Sequence, residues 1–526
     1  MDNRVKRILV LGGGTAGWMT ACFLNRSLRA ADGQSVEITL VESRDIGIIG
    51  VGEATLANIK RMMGAMDVNE FDFMRCCDAS FKNAIRFEGF CRKDEPFWHP
   101  FTQLTHVNRY SMANLWLGAH REGFQQSYAE TVTPDPVMCD QFRAPRTAEH
   151  EPYHGLLNYA YHIDTVKLGR YLRDLAKSRG VHHVTDTVVD VTQDENGHVA
   201  HVTTKEHGDL AADFFIDCTG FLGLLINKTL GEPFESYNDV LFNDRAVAMR
   251  VPYAEGDTNI PPFTGCYAQD AGWIWKIPLF GRLGVGHVYA SDFMTPEDAE
   301  QRLRDVVGPQ AEGCEANHIR MRIGRTRNAW SKNVCSVGLS GGFIEPLEST
   351  GIYLAELGLT LLAEHFPTKG NMATMSRAYN RHMASLYEEI RDFICMHYCL
   401  TEREDTEYWR ACRNHPAVPE SLKERLALWS ERLPIENDLG YTTDVPAFSA
   451  VSYIYICLGM NHAPSTGFSS DSQYDRRFAE AVFADRHRTT QQILQTAPDH
   501  HALLSRIHGA EGAQWAEAAA RQMAGG

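Results

Sequence analysis

Residues 7–17 read Arg-Ile-Leu-Val-Leu-Gly-Gly-Gly-Thr-Ala-Gly, and the meaning of this stretch decides the fold. Arg7–Leu11 is a short apolar run, the pattern of a strand buried on both faces of a parallel sheet. Gly12 to Gly17 fits G-x-G-x-x-G, with Gly14, Thr15 and Ala16 inside it. A helical pattern follows over Trp18–Leu28, and a second apolar strand, Val36–Val41, ends in Glu42. Strand, glycine turn, helix, and a strand closing on an acid together form the dinucleotide-binding βαβ unit in its required context. The glycines permit the tight turn and let backbone N–H groups approach a pyrophosphate, whose charge the helix N-terminus stabilises. Glu42 can accept hydrogen bonds from ribose hydroxyls. These residues leave open whether the dinucleotide is NAD or FAD.

Two further stretches bear on that choice. Ile49–Thr55 reads IGVGEAT, and its glycines at 50 and 52 suit a backbone strap lying close against something. Val181–Val202 alternates as a hairpin around Glu195-Asn196-Gly197, and Asp213–Gly220 then closes a strand on Cys218-Thr219-Gly220. A nucleotide fingerprint at residue 12 with such a strand roughly 200 residues later suggests an FAD fold of the glutathione-reductase type. In that layout a second sheet interrupts the first.

Other segments carry larger side chains. Ser80–Phe90 reads SFKNAIRFEGF, a strand pattern with Phe81, Ile85 and Phe87 on one face and Lys82, Ala84 and Arg86 on the other. A lysine on such a face is ordinarily solvated. Phe97–Phe101 (FWHPF) is an aromatic cluster with one imidazole, His99, for which a core position is the ordinary expectation. Gly272–Pro278 reads GWIWKIP; alternation puts Trp273 and Trp275 on one face, either as aromatic packing or as a wall against something large and flat. Ser331–Thr350 reads SKNVCSVGLSGGFIEPLEST, a strand over Asn333–Leu339 and a glycine-rich loop, followed by a helical pattern over Gly351–His365. Thr350 and Gly351 therefore lie at a helix N-terminus, an anion-binding location. Glu348 lies just before it, where a carboxylate is ordinarily a cap.

From about residue 358 the chain becomes helix-rich, with helical patterns over Ser376–Tyr398, Ser421–Arg432, Asp475–Gln495 and His500–Met523, and a loop-like Glu436–Val451. The expected class is α/β: an FAD-binding, glutathione-reductase-type (Rossmann-like) module over 1–357, with a helical C-terminal subdomain over 358–526. The net charge of −16 argues against nonspecific nucleic-acid or anionic-membrane binding. Thirteen cysteines without a C-x-x-C pair suggest reduced thiols in a cytoplasmic protein, not a disulfide frame or a metal site. The N-terminus runs straight into a strand and a glycine loop, unlike a signal peptide, and no uncharged apolar run reaches the ~18 residues of a membrane span.

The fingerprint followed by Trp18, the GVGEAT strap, FKNAIRF, FWHPF, WIWKIP and EPLESTGIY occur in an order and at spacings that resemble the flavin-dependent tryptophan halogenases, up to about residue 415. The resemblance implies FADH2 delivered by a separate NAD(P)H-dependent flavin reductase, with O2 and chloride or bromide as co-substrates. Oxygen would give a flavin hydroperoxide, and a halide held by backbone at Thr350 and Gly351 would turn it into hypohalous acid. By the same resemblance the cofactor-facing residues are Gly12, Gly14, Thr15, Ala16, Gly17 and Glu42, with Glu53 and Ala54 of the strap, Val188, Leu339 and Ile352. Lys82 matches the lysine that holds the oxidant and Glu348 the carboxylate that works beside it. His99 and Phe101 match residues that sandwich an indole, with Phe448 nearby. Trp273 and Trp275 become a partition between the flavin and a small aromatic substrate. The family is often dimeric, which implies a homodimer.

One segment departs from the family. Tryptophan-specific members carry paired tyrosines, a glutamate and aromatics before the last apolar run; here the span is shorter, LPIENDLGYTTDVPAFSAVSYIYICLGM, with Tyr441 and Phe448 as its aromatics before Tyr453. No acid is placed to hold an ammonium group, so free tryptophan is expected to be a poor substrate and indole or a larger indole derivative a better one. The rival classes are a flavin-dependent aromatic hydroxylase and a non-catalytic FAD-fold binding protein. Lys82 and the tryptophan pair argue against the first, and the intact fingerprint and lysine strand against the second.

Overall fold

A computed structural model describes residues 3–28, 36–45, 52–440, 447–464 and 474–525. The nucleotide unit forms as the opening stretch predicts. Arg7–Leu11 lies between Glu37–Glu42 and Phe214–Asp217 in a parallel sheet. His182–Thr185 extends the sheet on one side and Val334–Ser336 on the other, both parallel. Trp330–Ser331 closes the latter edge antiparallel. Strands buried on both faces need apolar side chains throughout, and Ile8, Val10, Leu40, Val41, Phe214 and Ile216 are all buried. The fingerprint helix runs Thr15–Ser27 and packs on Thr165–Ser178, where the Cys22 thiol donates to the Leu172 carbonyl. Val188–Gln193 and Val199–Thr204 form the hairpin, joined by Gly208–Ala211 into a small separate sheet.

A second, seven-stranded sheet stands apart from the first. Its order is Ala316–Arg320, Arg245–Pro252, Arg282–Tyr289, Gly272–Pro278, Phe263–Gln269, Ala84–Glu88, Pro96–Pro100. Trp273 and Trp275 share one face of this sheet, while Ile274 joins a different core cluster on the opposite face.

The lysine segment is two strands, not one. Ser80–Lys82 pairs with Ala160–Asp164, whereas Ala84–Glu88 pairs with Phe263–Gln269 and Pro96–Pro100 in the large sheet. The chain changes partners at Asn83, whose N–H donates to the Pro262 carbonyl, and periodicity alone carries no mark of that exchange. Gly52–Ala54 of the strap pairs with the opposite edge of Ala160–Asp164, so strap and lysine strand flank His162. The strap residues Ile49, Gly50 and Val51 lie outside the described residues, as does Tyr441.

The C-terminal helices fold back over the N-terminal half. Phe81 N–H donates to His500 Nε2, and His500 Nδ1–H donates to the Ile260 carbonyl, so a neutral imidazole pins the lysine strand. Trp515 packs on Phe71 at 5.4 Å, and Asn69 Nδ2 donates to the Ala516 carbonyl. Residues 357 and 358 both lie within the helix Thr350–Glu364, which packs directly on the fingerprint helix. The apolar segment around Ser452 is the helix Ala450–Gly459, and the long helix Met372–Cys399 runs past it. All thirteen cysteines are free. Among the described residues no helix is long and apolar enough to cross a membrane.

Candidate functional site

A cavity of about 580 Å³ opens at the C-terminal ends of the parallel strands. Its walls carry Gly12, Gly14, Thr15, Ala16 and Glu42 from the nucleotide unit, and Glu53 and Ala54 from the strap. Val188, Leu339 and Ile352 complete that set. Gly17 is not on the wall: a Cβ there would meet the Gly12 carbonyl oxygen at 1.9 Å, so this glycine seats the helix against its own turn. Gly12 has φ +113°, and a Cβ on it would lie 2.2 Å from the Cys218 carbonyl oxygen. Gly14 faces open space. The helix it opens has no side-chain cap and no acid in its first turn, so its N–H groups and dipole are uncompensated. Glu42 Oε1 accepts from His183 Nε2 at 2.8 Å, which orients the carboxylate at the cavity edge. Volume, bare helix start and terminal acid fit an extended dinucleotide.

The helix Thr350–Glu364 repeats this arrangement across the cavity. It too begins without a side-chain cap or an early acid. Ser349 before it holds a left-handed φ of 61°, and both Ser349 and Gly351 line the cavity. The Thr350 hydroxyl is buried without a partner. An anion would be stabilised there by the N–H groups and the dipole.

Trp273 and Trp275 form part of the cavity wall, their rings 6.2 Å apart and inclined at 58°. A Cβ on Gly286 would lie 2.1 Å from the Trp275 ring, so the indole lies flat over the neighbouring strand only because that residue is glycine. Trp273 Nε1 approaches Glu345 Oε2 at 3.5 Å.

A second cluster lies off this cavity: Lys82, Glu348, His99, Phe101 and Phe448 are all buried, and none lines it. Lys82 Nζ donates to the Thr55 carbonyl at 3.0 Å and to Ser349 Oγ at 2.9 Å, and sits 5.1 Å above the Phe101 ring. Burial strips its hydration and pulls it down to about 7, partly offset by Glu348. Glu348 is gripped by two histidines. His99 Nδ1 is 3.0 Å from both carboxylate oxygens, and His397 Nε2 is 3.0 Å from Oε1. Burial acts to raise Glu348, but the charges and hydrogen bonds of His99 and His397 outweigh it and hold the carboxyl at about 2. Phe448 stacks on Phe393 at 3.9 Å, and His99 lies 6.5 Å from Phe448 and 6.0 Å from Tyr455.

The tertiary fold thus brings together every candidate named from the sequence for the second cluster. Two sequence expectations fail locally. Lys82 is buried, not solvated: its amine turns inward to the Thr55 carbonyl just after the strap strand and to Ser349 Oγ. Glu348 does not cap the following helix; its carboxylate turns to His99 and His397. His397 and Phe393 escape sequence reasoning, and Ser349 and Thr55, though inside quoted stretches, receive no role from it. His397 lies 49 positions from Glu348, on a helix whose pattern signals nothing beyond packing.

The geometry describes a dinucleotide-binding protein with a cofactor-sized cavity and, beside it, a separate buried cluster of titratable and aromatic side chains. The tryptophan halogenase family model matches residues 7–472, and the chain belongs to that family. It is 38% identical to tryptophan 6-halogenase SttH of Streptomyces toxytricini, covering 95% of this chain and 98% of that one. It is 39% identical to 7-chloro-L-tryptophan 6-halogenase KtzR of a Kutzneria species, covering 95% and 99%. The solved structure of Tar14, a tryptophan C-6 flavin-dependent halogenase, superposes with a TM-score of 0.90 at 39% identity, covering 96% of this chain and 100% of that chain. The protein is therefore a flavin-dependent halogenase that uses O2, halide and FADH2, the last supplied by a separate flavin reductase, and acts on a small aromatic substrate.

Proposed function

We propose that this enzyme halogenates an indole ring in the Lys82–Glu348 chamber, with an oxidant generated in the neighbouring cavity. Bound FADH2, with oxygen and halide, supplies hypohalous acid. The backbone N–H groups at Thr350 and Gly351 hold the halide at the helix start. Lys82 receives the oxidant at Nζ, by hydrogen bond or as a haloamine, and an amine held near 7 is suited to either task. The Glu348 carboxylate stabilises the cationic ring and takes up its proton. His99, Phe101 and Phe448 hold the ring by stacking. Trp273 and Trp275 keep the organic substrate out of the cavity.

The single observation that carries this reading is the position of Lys82. Its Nζ bonds to Ser349, a residue of the cavity wall, while sitting over the Phe101 ring of the chamber. The test is Lys82→Met supplied with FADH2, oxygen, bromide and indole. Bromoindole should vanish while reduced flavin is still consumed. Bromination that persists would overturn the assignment.

For the substrate we propose bare indole or a larger indole derivative in preference to free tryptophan. Among the described residues, the acids around the shortened segment already accept hydrogen bonds from the protein itself. Glu436 accepts from Ala450 N–H, Asp438 from Arg432, Trp429 and Ile435, and Glu389 from Phe448 N–H. An ammonium group without a partner loses on the order of 2–5 kcal/mol of binding. The names of SttH and KtzR favour the opposite reading, and a kcat/KM for tryptophan well above that for indole would establish it. A cytoplasmic location, a homodimer and a division near residue 357 are parts of the same proposal. Free thiols support the first, and light scattering on the purified protein tests the second.

A further inference from the structure

The two histidines on Glu348 carry information about where protons reside. His397 Nδ1 lies 2.9 Å from the Phe393 carbonyl, one turn earlier on its own helix. A carbonyl oxygen only accepts, so Nδ1 carries a hydrogen. Turning the ring over would set carbon against both oxygens and lose both bonds. A neutral imidazole protonated at Nδ1 offers only a lone pair at Nε2, yet Nε2 lies 3.0 Å from Glu348 Oε1. Two lone pairs do not make that contact, so one further proton lies between the two groups.

Every titratable group facing Glu348 bears on where that proton sits. His99 donates its Nδ1–H to both carboxylate oxygens, and the Cys266 thiol is pushed up by burial and stays neutral. Lys82 commits its amine to Thr55 and Ser349, not to Glu348. We infer that His397 stands as an imidazolium donating to Glu348 Oε1, a positioning residue that balances the buried carboxylate and leaves Oε2 as the acceptor of the ring proton. The depressed Glu348 carboxyl agrees with an ionised partner. Lys82 is thereby released from serving as the counter-ion of Glu348 and is free to exist as the amine.

The ring step rests on the proposed function and balances without another reactant. The C–H bond of the cationic ring breaks, its electron pair returns to the ring, and the proton bonds to Glu348 Oε2. The positive charge then remains on the His397–Glu348 pair.

Nitrogen NMR of the full-length, substrate-free protein with 15N-labelled histidine tests the inference without turnover, the His397 signals being assigned with His397→Gln. At pH 7.5 both ring nitrogens should report an imidazolium, and in Glu348→Gln they should report the neutral form protonated at Nδ1. A neutral His397 in the unmutated protein overturns the inference. Kinetics supply a second arm. His397→Gln keeps a donor to Glu348 but removes the charge, so with flavin binding intact kcat should fall about tenfold with KM for the ring within about twofold, and an acid limb should emerge between about pH 5 and 7. An unchanged kcat and pH profile overturns it. Absence of halogenation by the unmutated enzyme would defeat the proposed function and leave the NMR result standing on its own.

Discussion

The two chambers are built from different materials. The flavin cavity takes its anion-binding features from backbone: Gly12 and Gly17, with no room for a Cβ, and two helix starts free of caps and early acids. The second chamber is made of side chains drawn from five separate stretches, with Lys82, His99, Glu348, His397 and Phe448 all buried. Pyrophosphate charge is suited to helix dipoles and backbone N–H groups, although Glu53, pushed up to about 7 by burial, also lies on that wall. A proton-handling site needs side chains that titrate. Burial makes Lys82 responsive, since desolvation pulls its amine down, and the bonds to His99 and His397 hold Glu348 in position.

If the chambers are separable, mutations in one should leave the other working. Lys82→Met is the severest case: bromination should fall by more than about a thousandfold while oxygen-dependent oxidation of reduced flavin continues. A parallel loss of flavin oxidation breaks the comparison. Glu348→Gln should cost about a hundredfold in turnover with FAD affinity unchanged, read by flavin fluorescence titration. Gly12→Ala acts from the other side. A strained φ and a clash with the Cys218 carbonyl should weaken FAD binding about tenfold or more. The His397 NMR signals should not move.

Lys82 also gives a test without catalysis. Its folded value, about 7, lies below its unfolded 10.5, so the unfolded state binds the extra proton between those values and stability rises with pH there. Below about 7 the full penalty for burying the charge applies. Lys82→Met should therefore raise the melting temperature more at pH 6 than at pH 9.5. An equal change at both would mean that the amine is not deprotonated by the fold. The smallest expected effect concerns the partition: Trp273→Phe or Trp275→Phe should leave halogenation within about twofold, because neither indole is given a part in bond-making. Loss of halogenation in a folded, FAD-binding variant would remove the partition reading.

Legibility followed range. The cavity could be read because each part is local: a glycine turn after a strand, an acid ending the next strand, a helix start after Ser349. The lysine segment shows where locality fails. SFKNAIRF reads as one alternating strand, but hydrogen bonding divides it at Asn83 between two sheets, a decision made by partners at 160–164 and 263–269. Glu348 read as a helix cap because the sequence shows only the helix that follows it. Its true partners arrive from residues 99 and 397.

The sequence by itself determined the nucleotide fold, the anion-ready helix ends and the pairing of the two tryptophans on one face, all consequences of steric limits and periodicity acting over a few residues. Only the tertiary structure decided that Lys82 is buried against Ser349 of the cavity wall, and that Glu348 meets His99 and His397. Those properties are electrostatic. They depend on desolvation and on donors brought together across hundreds of residues, and no local pattern encodes either.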